Sequence, residues 1–333
     1  MYDVVFYEAF EEEEKALRKF LPQGKQYLFT WKTIQESGHK TPQSKVISVR
    51  TQSKFPLEWA SLLEGIITRS TGYDHVTAYL EATGAKLKAA YLPDYAARAV
   101  AEQAMLLWSA CLRRLKVQQE CFGSFHRDGL TGREIKGRSI AVAGVGRIGS
   151  QIVDIARGLG MKPIGIDIKP KPGLKLDYMS FEKAFPIADV IVCALPLTHE
   201  TKGLLGRKTL SKAKRGSIFI NIARGEISPS EDLLEMLEDG QLSGVGLDVY
   251  DHEKEVAAIL RDDSSIESVP DEARKGVEAV LKLMRHPQAI LTPHNAFNTE
   301  ESVERKSQHT ALNLELYFSK GDFLTPLDTV QAK

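Results

Sequence analysis

Short β-branched or aromatic runs alternate with helical patterns through the first hundred residues. Asp3 to Tyr7, Lys45 to Arg50, Ile66 to Ser70 and Lys86 to Ala90 read as strands, and residues 11–20, 56–64 and 74–82 as helices. Gly65 and Gly84 stand where helix caps are expected. This alternation predicts a parallel α/β layer. The longest amphipathic stripe follows, with Val100, Ala104, Leu107, Trp108, Cys111, Leu112 and Leu115 on one helical face. A second alternation then runs through Ser139 to Ala143, Pro163 to Asp167, Val190 to Ala194, Ser217 to Asn221, Val245 to Asp248 and Ala289 to Thr292. Six buried strands of this kind make a doubly wound sheet.

Beyond Asn295 only about forty residues remain, with one helical pattern from Glu300 to Phe318, too few to fold alone. The tail is therefore expected to pack back on the first domain, so that the chain crosses between domains near residues 96–99 and again near 295–298. The predicted fold is α/β in two domains. One is a Rossmann-type doubly wound parallel sheet over residues 99–296, and the other a discontinuous, flavodoxin-like α/β substrate domain from residues 1–98 and 297–333. The charged, helix-like stretch from Lys254 to Met284 reads as an insertion.

Composition narrows the function classes. Lys and Arg total 44 and Asp and Glu 44, so the formal net charge is zero and nothing favours a nucleic-acid partner. The most apolar stretches, Ala188 to Leu197 and Ser217 to Ala223, fall far short of the roughly 20 residues that span a bilayer. The amino terminus has neither a basic start nor an apolar run with a cleavage site, and Cys111, Cys121 and Cys193 form no C-x-x-C pair. A cytoplasmic protein with free thiols and no membrane partner is expected. No His or Cys spacing suggests a metal.

Gly144-Val145-Gly146-Arg147-Ile148-Gly149 matches G-x-G-x-x-G, directly after a predicted strand and at the start of a helix expected over Ile148 to Leu159. Glycines there permit the tight turn and close approach of backbone to a pyrophosphate, while the helix amino terminus supplies unpaired N–H groups. Asp167, eighteen residues after Gly149, ends the next strand, where a carboxylate accepts hydrogen bonds from a ribose diol and repels a 2′-phosphate. The pattern favours NAD over NADP. Lys169, Lys171 and Lys175 just beyond either belong to a solvated loop or soften that preference.

Ligands in open α/β sheets bind at the carboxyl ends of strands. Arg224, Glu253 and His294 follow three successive predicted strands in this way. On spacing alone they read equally as a surface arginine, a solvated glutamate and a turn-capping histidine.

The motifs settle more. Gly137-Arg138-Ser139-Ile140, the glycine loop, Ala194-Leu195-Pro196-Leu197-Thr198, Asn221-Ile222-Ala223-Arg224-Gly225, Gly246-Leu247-Asp248-Val249-Tyr250 and Thr292-Pro293-His294 together resemble the D-isomer-specific 2-hydroxyacid dehydrogenase family. The resemblance extends to Arg69-Ser70-Thr71-Gly72-Tyr73-Asp74 and to the segment from Tyr95 to Glu102. It implies an NAD-dependent enzyme that reduces small 2-keto acids to D-2-hydroxy acids. By resemblance, Arg224 holds the substrate carbonyl and carboxylate, His294 is the acid/base and Glu253 hydrogen-bonds that histidine. Negative charge grows on the carbonyl oxygen as hydride arrives, so a proton donor and a guanidinium are the groups the chemistry needs. The resemblance also assigns Gly144, Gly146, Arg147, Ile148, Gly149, Asp167, Leu195, Pro196, Thr201, Ala223 and Asp248 to the cofactor, Asp248 at the nicotinamide carboxamide. Backbone N–H groups at Thr71 and Gly72 would cradle the substrate carboxylate, although that turn equally reads as a helix start with Asp74 near the N-cap.

Within the family, Pro293-His294-Asn295-Ala296-Phe297 and Tyr95 look most like the D-lactate and D-2-hydroxyisocaproate branch. Tyr95 and Phe297 would form an aromatic wall for a small or apolar side chain. Gln103 and Arg98 depart from the family pattern, and Arg98 would suit an additional acidic group on the substrate if it faces the cleft. His252 reads as a surface residue. A phosphoglycerate, glyoxylate or hydroxypyruvate dehydrogenase is the second reading, and an NAD-sensing corepressor-like scaffold the third. A homodimer through the NAD-binding domain is implied, and the stripe from Val100 to Leu115 fits such an interface or an internal position.

Overall fold

The computed structural model describes residues 2–261 and 264–327. Asp262, Asp263 and residues 328–333, parts of the expected insertion and tail, lie outside the described residues. Contacts divide the chain into a unit of Met1–Ala96 with Asn298–Lys333 and a unit of Ala97–Phe297.

Among the described residues, the first unit has a five-stranded parallel sheet: β1 (Val4–Phe6), β2 (Tyr27–Phe29), β3 (Val46–Val49), β4 (Gly65–Thr68) and β5 (Lys88–Ala90), in the order β2-β1-β3-β4-β5. This is the flavodoxin-like order. Strand alternation divides the apolar residues between two faces. Val5, Ile47, Val49 and Ile66 pack with Val76 and Leu80 of α2 (Asp74–Thr83). Val4, Phe6, Val46 and Ile67 pack with Leu17 of α1 (Glu11–Phe20) and Leu314 of the last helix, α11 (Glu300–Lys320).

Several expectations need correction here. Strand β2 was not predicted: it is a half-buried edge of three residues, too short to show a period. The helix expected at residues 56–64 is only a 3₁₀ turn, Leu57–Ser61. Gly65 caps no helix; it opens β4, where an added Cβ would meet the Phe323 ring at 3.0 Å. Asp74 is the first helical residue of α2, and Tyr73 is its N-cap.

In the second unit, α3 (Ala97–Leu112) and α4 (Leu115–Cys121) precede the sheet strands β6 (Ser139–Ala143), β7 (Lys162–Ile166), β8 (Asp177–Tyr178), β9 (Val190–Cys193), β10 (Ser217–Asn221), β11 (Leu242–Leu247) and β12 (Ala289–Leu291). Among the described residues these form a seven-stranded parallel sheet in the order β12-β11-β10-β9-β6-β7-β8. The order reverses between β6 and β9, as in a Rossmann sheet. The intervening helices are α5 (Arg147–Gly158), α6 (Phe181–Ala184), α7 (Arg207–Leu210), α8 (Ser230–Glu238), α9 (Glu253–Leu260) and α10 (Asp271–Arg285).

The stripe beginning at Val100 is internal to this unit. An added Cβ at Gly246 or Gly244 would lie 2.9 Å from Leu107 and 3.1 Å from Cys111, so those glycines let α3 lie close on β11. Leu115 does not belong to the stripe: Arg114 takes a left-handed conformation, ends that helix, and leaves Leu115 41% exposed. The stretch read as an insertion is structural too, because Ala273, Val277, Val280 and Leu283 of α10 join the main core. No helix among the described residues is long and apolar enough to cross a membrane.

Candidate active site

The glycine loop joins β6 to α5 beside the point where strand order reverses. A Cβ on Gly144 would lie 2.5 Å from the Ala194 carbonyl oxygen, and one on Gly149 would lie 1.9 Å from that of Gly144. Both positions require glycine for packing. At Gly146, the N-cap of α5, a Cβ would meet nothing within 4 Å, so backbone borders open space there. Gly144, with φ +90, adopts the conformation glycine favours. Arg147 and Ile148 open the helix, the first exposed and the second half-buried.

Asp167 ends one residue past β7. Its carboxylate accepts from the Val145 N–H at 2.7 Å and the Lys169 N–H at 2.9 Å, tying the second strand to the glycine loop. Lys171 is exposed, and its ammonium donates to Ser150 Oγ in α5 at 2.7 Å. Leu195 and Pro196 follow β9, and the Pro196 carbonyl accepts from Thr201 Oγ1 at 2.6 Å, closing that turn. These residues fit a dinucleotide, with close backbone approach at the helix amino terminus and a carboxylate at the next strand.

Arg224, Glu253 and His294 follow β10, β11 and β12, which lie side by side in the sheet. Asn221, fully buried at the end of β10, shapes the first turn. Its amide donates to the Arg224 carbonyl at 2.9 Å and to Ser228 Oγ at 2.8 Å, while its oxygen accepts from the Ala223 N–H at 2.9 Å. Gly225 then passes against the next loop so closely that a Cβ would lie 1.8 Å from the Tyr250 carbonyl carbon. Glu253 begins α9, where the helix dipole favours a carboxylate, directly after the left-handed His252. His252 is partly covered rather than a plain surface residue, because its ring lies over Gly276 of α10.

His294 Nδ1 lies 2.9 and 3.0 Å from the two Glu253 oxygens. An ionised carboxylate only accepts, so the Nδ1 proton belongs to this pair and Nε2 is the nitrogen left to exchange a proton. His294 itself has φ +50, an uncommon conformation that its surroundings must hold. Asp248, buried at the end of β11, supplies that hold. It accepts from Thr292 Oγ1 at 2.5 Å and from the Asn295 and Ala296 N–H groups at 2.9 Å each. Burial pushes the Asp248 carboxyl up, and those hydrogen bonds oppose the shift. Sequence reasoning missed the positioning roles of Asn221, Gly225 and Asp248. Two polar side chains ending otherwise apolar strands were the available signal.

In the other unit, Thr71 and Gly72 follow β4. Thr71 Oγ1 donates to the Leu92 carbonyl at 3.1 Å, and Ser70 Oγ donates to the Gly72 carbonyl at 2.6 Å. No hydrogen bond from the Thr71 or Gly72 N–H is found among the described residues. Tyr95 is buried, and its carbonyl accepts from Ser302 Oγ and Arg305 Nε. Phe297 is also buried. Gln103 donates to Thr292 Oγ1 at 3.3 Å, next to the histidine loop, whereas Arg98 pairs with Glu102 one turn along α3 and is 55% exposed. Arg98 thus gives no reason to expect an acidic substrate.

Comparison with known proteins bears on the family and the fold. Residues 104–296 match the model of the D-isomer specific 2-hydroxyacid dehydrogenase NAD binding domain. The aromatic 2-oxoacid reductase of Clostridium sporogenes is 29% identical over 77% of this chain and 76% of its own length. The D-lactate dehydrogenase of Escherichia coli is 30% identical over 68% of both chains. The solved structure of Aquifex aeolicus D-lactate dehydrogenase, complexed with NAD and lactic acid, superposes with a TM-score of 0.81 at 25% identity, covering 96% of this chain and 98% of that one.

Proposed function

The chain belongs to the D-isomer specific 2-hydroxyacid dehydrogenase family, and on that premise we propose that it reduces a small 2-oxo acid to the D-2-hydroxy acid, as a D-lactate dehydrogenase does. NAD is its cofactor, and bound NADH supplies the hydride. The observation that carries the reading is the His294–Glu253 pair beside the Arg224 turn at the carboxyl edge of adjacent strands.

In this reading His294 donates the proton from Nε2 to the carbonyl oxygen. Glu253 fixes the ring through Nδ1 and leaves Nε2 to face the substrate. Arg224 neutralises charge on the carbonyl oxygen and carboxylate, and the Thr71 and Gly72 N–H groups cradle that carboxylate. Asp248 positions His294 through its loop. A homodimer through the second unit is supported by Phe122 and Phe125 at its surface, 75% and 72% exposed with ring centroids 6.4 Å apart.

The test follows NADH oxidation with pyruvate, phenylpyruvate, 2-oxoisocaproate, oxaloacetate, glyoxylate, hydroxypyruvate and 3-phosphohydroxypyruvate, with chiral analysis of the product. A D-product is expected. NADH binding without turnover across the panel, or an L-product, overturns the reading.

A further inference from the structure

Three fully buried charged side chains, Glu13, Arg69 and Lys306, meet inside the first unit. Glu13 Oε1, in α1, lies 2.8 Å from Arg69 Nε and 2.7 Å from Lys306 Nζ of α11. Burial alone would raise the Glu13 carboxyl, but Arg69 and Lys306 hold it down at about 2, so it is ionised at neutral pH. Such a cluster is a poor means of stabilising a fold, because apolar residues of similar volume fill the same space without the desolvation cost. What it supplies is direction. A guanidinium is a planar fork of donors with fixed angles. Here Nε donates to Glu13 of α1, Nη1 to Ser48 Oγ of β3 at 3.0 Å, and Nη2 to the Tyr7 carbonyl just past β1 at 2.8 Å.

Arg69 is the first residue past β4, and the turn of Ser70, Thr71 and Gly72 follows it directly. The ladder to β3 ends with the Arg69 N–H, which donates to the Val49 carbonyl at 2.7 Å. Beyond that point the chain leaves the sheet. A trans peptide is planar, so its N–H points opposite to its C=O. The Ser70 carbonyl accepts from the Leu92 N–H at 3.1 Å, which turns the Thr71 N–H away from the Leu92 segment. Thr71 Oγ1 donates to the Leu92 carbonyl at 3.1 Å, and Ser70 Oγ to the Gly72 carbonyl at 2.6 Å. Those bonds hold the turn against the Leu92 segment, while the Arg69 fork holds its entry against α1, β1 and β3.

We propose that Arg69, with Glu13 behind it, is a positioning residue for the substrate: it sets the angle at which the Thr71 and Gly72 N–H groups meet the carboxylate of the 2-oxo acid. The proposal rests on the reading of those N–H groups as the carboxylate cradle of a 2-oxo acid reductase. Arg69 is fully buried and acts through the turn. Its effect belongs to binding. The carboxylate keeps its charge as hydride reaches the neighbouring carbon, so bonds to it hold substrate and transition state equally and act through KM.

The experiment measures kcat and KM for the 2-oxo acid that the wild type reduces best, with the NADH dissociation constant by fluorescence and Tm, in Arg69→Lys and Ser48→Ala. Lysine keeps a cation for Glu13 but replaces the fork with a point charge, and alanine at position 48 removes one arm of the fork. Arg69→Lys should raise KM at least about tenfold and Ser48→Ala about threefold, with kcat changed less than about twofold and NADH binding unchanged. Ser48→Ala covers the case in which Arg69→Lys does not fold. A fall in kcat at wild-type KM is the signature of a smaller folded fraction and overturns the proposal. A lowered Tm with wild-type kcat and KM marks the cluster as structural and overturns it equally. Both of those results leave the reductase reading intact. A wild type that binds NADH and reduces none of the 2-oxo acids overturns that reading and the proposal with it.

Discussion

Replacing Gly225 by alanine perturbs the site without touching a reacting group. The new methyl would lie 1.8 Å from the Tyr250 carbonyl carbon, 2.0 Å from its oxygen and 2.2 Å from the Asp251 nitrogen. Carbon atoms in contact prefer about 3.5 Å, so the two loops must separate by roughly 1.5 Å. All three atoms are backbone, so no rotamer change relieves the overlap. One loop carries Arg224 immediately before Gly225, and the other leads through Asp251 and His252 to Glu253, the partner of His294. Misplacement by about 1 Å costs on the order of 100-fold in rate, and overpacking costs about 1–3 kcal/mol. We therefore expect Gly225→Ala to lose about 100-fold in kcat/KM and about 1–3 kcal/mol in urea unfolding. Gly158→Ala is the control: nothing lies within 4 Å of its Cβ and it sits in α5, so activity should be retained. Wild-type kcat/KM and stability in Gly225→Ala would refute the inference that this contact sets the Arg224 and Glu253 loops.

Three further outcomes follow from other contacts. His294→Gln should lower kcat by about two to four orders of magnitude while the NADH dissociation constant, read by fluorescence, changes little; near-normal turnover would remove His294 from proton transfer. Asp167→Ala should shift the NADH to NADPH ratio of kcat/KM toward NADPH, and an unchanged ratio would take Asp167 out of ribose recognition. Glu13→Gln strands two buried cations and should cost about 3–5 kcal/mol at pH 7 in urea unfolding. Burial alone would raise the Glu13 carboxyl, but Arg69 and Lys306 hold it near 2 against an ordinary 4.5. Its stabilisation is complete above pH 4.5 and is lost as pH falls toward 2, so the gap between wild type and variant should narrow over that window; a gap independent of pH would argue against an ionised Glu13.

What the sequence determined by itself was everything written in local periodicity or in a motif. The run from Ser139 to Ala143 is apolar enough to be a buried strand in any context, and the glycines after it have one backbone use at a strand-to-helix turn. The six longer strands of the second sheet were legible for the same reason, while β2 and β8, short edges with partly exposed side chains, carry too little pattern to be seen. The candidates Arg224, Glu253 and His294 were visible through strand ends and family motifs.

Only tertiary structure decided how those residues are held. Asp248 meets Thr292, Asn295 and Ala296 more than forty positions later, and nothing in the local pattern of either segment announces the pairing. The buried charges are subtler still. Arg98 looked like the available cation and is spent on Glu102, whereas Arg69 and Lys306, separated by most of the chain, both meet the Glu13 carboxylate. Hydrophobic periodicity depends on neighbours along the chain and can be read in one dimension. The partner of a buried charge is chosen by the crossing of distant strands and helices, because low dielectric makes an unpaired charge costly and only the folded chain determines which groups are near enough to pair.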